Sequence, residues 1–454
     1  MSQSQRRAHR LGAWALSTTV LTGVCQGGAP DARIAAALNE ISSARIQADI
    51  SALVGFGTRS TVSAQDPAAI ASGRGIGAAR EWIRAQFEQY SKECGGCLEV
   101  KTDSYTQQSG DRLSEPTVIS NVYAVLKGAE PGATPRTVLV TGHYDSRNSD
   151  NYDVAHDAPG ANDDASGVAV SLECARVLSK LKFPASIIFL AVAGEEQGLY
   201  GSEHFAHMAH ELKWNIEAAL NNDIVGGNRS EQQDAKTVRI FSEGLPVARN
   251  DQQLDVIRAM GAENDSTSRE LARYVAETAS QYALAVRPLL IFRPDRFLRG
   301  GDHLSFNEQG YAAVRFTEYR EDFTRQHQTV RTENGLEYGD LLKFVDVDYI
   351  AGVARVNAAT LASLASAPAP PSQVIIQASK LENDSTLEWA ASPGAAGYEV
   401  LWRATSSPVW EHTQSVPSAT RVTLPLSKDN VFFAVRAIDG QGHRSLPAIP
   451  QSKR

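Results

Sequence analysis

Three acid-rich loops, each next to an apolar run or a helix start, crowd the stretch from His143 to Glu196. TVLVTG leads into His143 and Asp145, PGANDDASG carries Asp163 and Asp164, and ASIIFLAVAG leads into Glu195 and Glu196. Carboxylates and imidazoles gathered at the ends of buried strands are costly unless solvated, protonated or held by a cation. That requirement constrains the fold more than any other feature. If the loops form a site, the strands before them must lie side by side, so that their ends meet.

The surrounding pattern supplies such strands. Thr117–Leu126, Thr137–Thr141, Ala185–Val192, Ile216–Asn221, Val238–Ser242, Leu289–Phe292 and Ala313–Thr317 read as strands, with a further one from Leu98 to Lys101. Helical spacing marks residues 33–54, 75–90, Ala165–Leu181, Leu199–Leu212, Ser268–Tyr282 and Asp348–Leu364. Strands alternating with helices predict an α/β fold with a mixed, mostly parallel sheet and helices on both faces. GRGIGAAR follows no strand, so it fails the context of a dinucleotide loop and reads as a helix entry.

Composition changes at Ser366, where 366–373, SAPAPPS followed by Gln373, reads as a stiff linker. Beyond it Val374–Ala378, Ser385–Trp389, Gly397–Arg403, Thr420–Leu424 and Val431–Ile438 are short strand-like runs broken by turn residues. They predict a small β-sandwich over 374–454. Trp389, Tyr398 and FFAVRAIDGQGHRS make the last 80 or so residues resemble a fibronectin type III domain. Such a domain is a candidate for contact with a surface, a glycan or the preceding domain. At the other end, Arg6, Arg7 and Arg10 precede the apolar run Leu11–Val24, a pattern that predicts an export signal over 1–29 and a periplasmic or secreted location. Cys25 raises lipid anchoring as the alternative. Cys94-Gly-Gly-Cys97 has no partner CxxC and predicts a local disulfide, and Cys174 a buried free thiol. The net charge of −8, without a basic stripe, argues against nucleic acid as a partner.

Each loop has a plain reading and a chemical one. Asp145 can accept the second N–H of His143 and fix its tautomer as a ligand. Asp163 or Asp164 can cap the helix that follows, or Asp163 can bridge metals. Of Glu195 and Glu196, one can ligate a metal while its neighbour contacts a water. Asn222-Asp223-Ile224 and Gly301-Asp302-His303 are further acid and imidazole clusters. His204, His207 and His210 read as helix-surface residues, His156 as a loop residue and His327, in RQHQ, as near the pocket but outside the ligand set.

GHYDS, PGANDDASG, AGEEQGLYGS, NNDIVG and RGGDHLSF, with AVRFTE downstream, give Ser51–Leu364 a resemblance to the M28 zinc exopeptidases of the bacterial leucyl-aminopeptidase type. The resemblance implies a peptidase domain over 30–365 binding two Zn2+ per chain. His143 and Asp223 would hold one ion, Glu196 and His303 the other, and Asp163 would bridge. Glu195 would be the general base, Asp145 would orient His143, and the Asp163–Asp164 peptide would be cis. Peptides are then the substrates. An exported aminopeptidase is the leading reading. The alternatives are a dipeptidase or carboxypeptidase of the same family, a glutaminyl-cyclase-like enzyme, or a non-catalytic binding protein that had lost ligands.

Overall fold

Eight strands form one mixed sheet: β1 (Leu98–Gln107), β2 (Thr117–Leu126), β3 (Arg136–His143), β4 (Ser186–Val192), β5 (Asn215–Asn222), β6 (Thr237–Ser242), β7 (Arg287–Ile291) and β8 (Ala313–Glu318). Their order across the sheet is β1-β2-β4-β3-β5-β8-β6-β7. The computed structural model describes residues 23–24, 29–132, 135–379 and 381–453. Most of the predicted export signal, Cys25 included, lies outside them. The four central strands β4, β3, β5 and β8 run parallel. β2 is antiparallel to β4, and β6 to β8. The segments after β3, β4, β5 and β8 therefore leave the sheet at one edge.

Side-chain alternation divides the core. Val138, Val140, Ile187 and Phe189 face one side, while Leu139, Ile188 and Leu190 face the other. The larger side is covered by α1 (Ala32–Asn39), α2 (Ser43–Gly55), α3 (Ile76–Glu93), α4 (Ala165–Leu178), α6 (Thr267–Gln281) and α8 (Val347–Ser366). α5 (Tyr200–Glu211) and the short α7 (His303–Glu308) cover the smaller. Every residue of α4 is buried, and its small side chains (Ala165, Ser166, Gly167, Ala169) bring it close to the sheet. Asp164 caps α4 by accepting from the Gly167 N–H at 3.0 Å.

The helix expected over 33–54 breaks into α1 and α2. Ser42 caps α2, and its own N–H donates to buried Glu173 on α4 at 2.7 Å. β1 extends well past the expected Lys101 because it is an edge strand. Its polar outer face, in DSYTQ, hides its pairing with β2 along the whole length.

After α8 the chain forms two four-stranded sheets. One contains His412–Val416, Gly397–Ala404 and Val431–Ile438, with Gly23–Val24 on its edge; the other contains Arg421–Leu424, Ser385–Ala390, Ser372–Gln377 and Gln451–Lys453. Leu387 and Trp389 from one sheet and Tyr398, Val400, Trp402 and Val435 from the other share a core. This body docks on α6 through buried charges. Asp265, just before α6, pairs with Arg403 at 2.6 Å and Arg273 at 3.1 Å. Trp410 Nε1 donates to Glu270 at 2.8 Å, and Arg436 links Glu277 to Glu399 at 2.7 Å each. Cys94 and Cys97 are disulfide-bonded, and Cys174 is a buried free thiol.

Candidate metal centre

The strand ends do converge. His143 closes β3, Glu195 and Glu196 follow β4, and Asp223 follows β5. Asp163 stands just ahead of α4, beyond a cis Asp163–Asp164 peptide. Arg59, fully buried, ties the surrounding loops together: it donates to the carbonyls of Leu53, Tyr144, Pro159 and Gly160 at 2.6–3.0 Å. Gly160 has φ +51°, and a Cβ there would come within 2.9 Å of that guanidinium and 2.5 Å of the Asp163 carbonyl. Only glycine fits at such a position.

Asp163 lies at the middle of the cluster. Its Oδ1 is 3.1 Å from His143 Nε2, and its Oδ2 is 2.8 Å from His327 Nε2. Asp223 Oδ1 lies 3.9 Å from His143 Nε2, and Glu196 Oε1 lies 3.0 Å from His327 Nε2. Two ligand groups result: His143, Glu195 and Asp223 in one, and Asp163, Glu196 and His327 in the other. Asp145 holds the framework. Its carboxylate accepts from the Glu196 N–H at 3.1 Å and from Thr61 Oγ1 at 2.9 Å, and lies 3.4 Å from His143 Nδ1. Gln326 Nε2 donates to Asp163 Oδ2 at 3.1 Å, and Asp340 accepts from the Asp163 N–H at 2.7 Å.

His303 does not join this cluster. It begins α7, fully buried, and its Nε2 donates to the Pro294 carbonyl at 2.7 Å. Burial holds its imidazole down at about 4. Neither carboxylate oxygen of Asp302 hydrogen-bonds to it. The second imidazole comes from His327, on the loop after β8, where φ is +55°. Nothing local in RQHQ distinguishes it. The resemblance assigned His303 as the second imidazole and left His327 outside the ligand set. Arg147, 2.9 Å from Glu196 Oε2, and Arg315, 2.8 Å from Asp223 Oδ1, were also not foreseen.

The donor set suits a divalent cation bound through nitrogen and oxygen, as zinc is. Burial opposes a proton on His327, yet Glu196 and Asp163 outweigh it and raise the imidazole to about 10. Burial likewise opposes protonation of His143, but Glu195, Asp145 and Asp163 raise it well above its ordinary value. Burial lifts Glu195 above the usual carboxylate range, helped by Asp223 and Glu196 although His143 pulls it down. The cluster draws positive charge, and Glu196 Oε1 is buried without a hydrogen bond. A carboxylate oxygen facing an imidazole nitrogen without such a bond is what ligation would use.

Fold and cluster together define a hydrolase of the metallopeptidase class. Residues 121–347 match Peptidase family M28. A probable zinc metalloprotease of Pyrenophora teres f. teres is 46% identical over 431 residues, covering 93% of this chain and 87% of its own. The chain belongs to peptidase family M28. Two solved structures from Legionella pneumophila share the fold: LapB (TM-score 0.53, 19% identity, 76% of this chain and 78% of its own) and the LapA aminopeptidase (TM-score 0.51, 21% identity, 73% and 74%). Where the motifs pointed to a bacterial type, the sequence relative is fungal.

Proposed function

We propose that the chain is a dizinc exopeptidase that removes N-terminal residues from peptides. The observation that carries this reading is Asp163, whose two oxygens face His143 on one side and His327 on the other at 3.1 and 2.8 Å. His143, Asp163 and Asp223 would hold one Zn2+, and Asp163, Glu196 and His327 the second. Bound there, zinc supplies Lewis-acid polarisation of a carbonyl and a more acidic water.

The chain's own residues do the rest. Among the carboxylates of the two groups Glu195 alone is half-buried; Asp163, Glu196 and Asp223 are buried. Glu195 is thus the one placed to take a proton from the attacking water and return it to the departing amine. Asp145 keeps His143 and the Glu195–Glu196 turn in mutual register through the contacts described above. The surplus of carboxylates favours a free α-ammonium group on the substrate, which supports aminopeptidase action. The basic, apolar start and the Cys94–Cys97 disulfide support export to an oxidising compartment. Trp389, Tyr398 and the shared core of the C-terminal sheets support a fibronectin type III-like domain.

A panel of free and N-acetylated peptides, with product identification and elemental analysis, tests the reading. Release of N-terminal residues from free peptides alone, with two zinc per chain, is expected. C-terminal release, or cleavage of blocked peptides at internal bonds, would overturn it.

A further inference from the structure

Both ligand groups carry an arginine on a terminal carboxylate, but the two arginines differ. Arg147 Nε meets Glu196 Oε2 at 2.9 Å, and its side chain is 20% exposed. Arg315 Nη2 meets Asp223 Oδ1 at 2.8 Å with its side chain wholly buried. Arg147, which also reaches His327 Nδ1 at 2.6 Å, is partly solvated, so water screens its charge; Arg315 has no such screening.

The segment around His303 explains why. β8 pairs with β5 so that Arg315 lies beside Asn221, next to the strand end that carries Asp223. Arg315 Nη1 donates to the Gly300 carbonyl at 2.9 Å and lies 3.4 Å from Asp295 Oδ2. A Cβ on Gly301 would come within 2.4 Å of that Nη1, so Gly301 of RGGDH makes room for the guanidinium. His303 holds the Pro294 carbonyl, one residue before Asp295. The motif thus acts at the metal cluster through Arg315. Its histidine is packed three contacts away.

A buried guanidinium beside a ligand carboxylate repels any dication that the carboxylate would bind, and the exclusion of water from both side chains leaves that repulsion poorly screened. Asp295 shares that positive charge and so limits the repulsion. We infer that Arg315 is a positioning cation that makes the two metal positions unequal, with the Asp223 position the weaker and its ion the first to leave. The inference rests on the two-ion reading above.

Stepwise zinc affinities of the metal-stripped full-length protein, measured by titration calorimetry and chelator competition, test it. The wild type should bind two ions in separated steps, and Asp223→Asn should remove the weaker one. Arg315→Gln should tighten the weak step about tenfold or more, while Asp295→Asn, which leaves the guanidinium charge undivided, should weaken it about threefold. The strong step should stay put in both variants. Simple damage to the loop would weaken zinc binding in both, so opposite signs are the signature. Weakening in Arg315→Gln, or loss of the strong step in Asp223→Asn, overturns the inference and leaves the two-ion reading standing. A single step of one ion per chain in the wild type overturns the two-ion reading, and this inference with it, whereas a single step of two equivalent ions overturns this inference alone.

Discussion

At the scale of single residues, the site turns on which side chains touch the reacting centre. Glu195→Gln keeps a hydrogen-bonding group of the same size but cannot hold a proton between water and amine. It should retain fold and zinc while losing activity by at least a hundredfold, the usual worth of a general base. Wild-type turnover of aminoacyl-p-nitroanilides by this variant would remove Glu195 from the role. The two histidines offer a sharper contrast. His327→Ala removes an imidazole from the cluster and should cost one zinc per chain by elemental analysis with little change in melting temperature. His303→Ala should keep both ions but melt lower, because its Nε2 hydrogen bond to Pro294 is buried. The reverse pattern would restore His303 as the ligand. In the sequence both histidines are single residues in polar loops. His303 drew attention because it stands beside an aspartate and glycines, and those glycines serve Arg315 instead.

At the scale of elements, the strand ends and the α4 cap were legible because each is local. An apolar run closed by glycine and acids announces a strand and its exit loop. The break between α1 and α2 was not legible, because the anchoring partner, Glu173, lies 131 residues away on α4. That packing has a testable cost. Asp49 sits on the buried face of α2, its Oδ2 has no hydrogen-bond partner, and burial, with Glu173 adding, pushes its carboxyl up to about 7. An acid whose folded-state value is raised binds protons more readily folded than unfolded. Its penalty is therefore full above about pH 7, shrinks as pH falls, and vanishes below the ordinary carboxylate range. Asp49→Asn should stabilise the protein at pH 8 by at least ~1 kcal/mol more than at pH 5. Denaturant melts at the two pH values check this, and an equal gain at both would show that the penalty does not come from charge.

At the scale of the whole molecule, the C-terminal sheets are bound to the peptidase fold through charges that neither part leaves exposed. Arg403 and Asp265 are both buried and 2.6 Å apart. Removing one partner of such a pair strands the other, typically at ~3–5 kcal/mol. Arg403→Ala should lower the midpoint of a single calorimetric unfolding transition while leaving zinc content unchanged. Two well-separated transitions in the wild type would show that the parts fold independently. The sequence by itself determined the α/β alternation and the strands with their acid-bearing exits, which periodicity and turn chemistry encode within a few residues of one another. Its motifs carried the resemblance to the family and, through it, the proposed roles of Asp163 and Glu195–Glu196. Tertiary structure alone decided that His327 and not His303 meets Asp163, that Arg315 lies against Asp223, and that α6 receives the C-terminal body. Each of those depends on side chains distant in the chain, whose pairing is set by how the strands are ordered and leaves no mark on either segment.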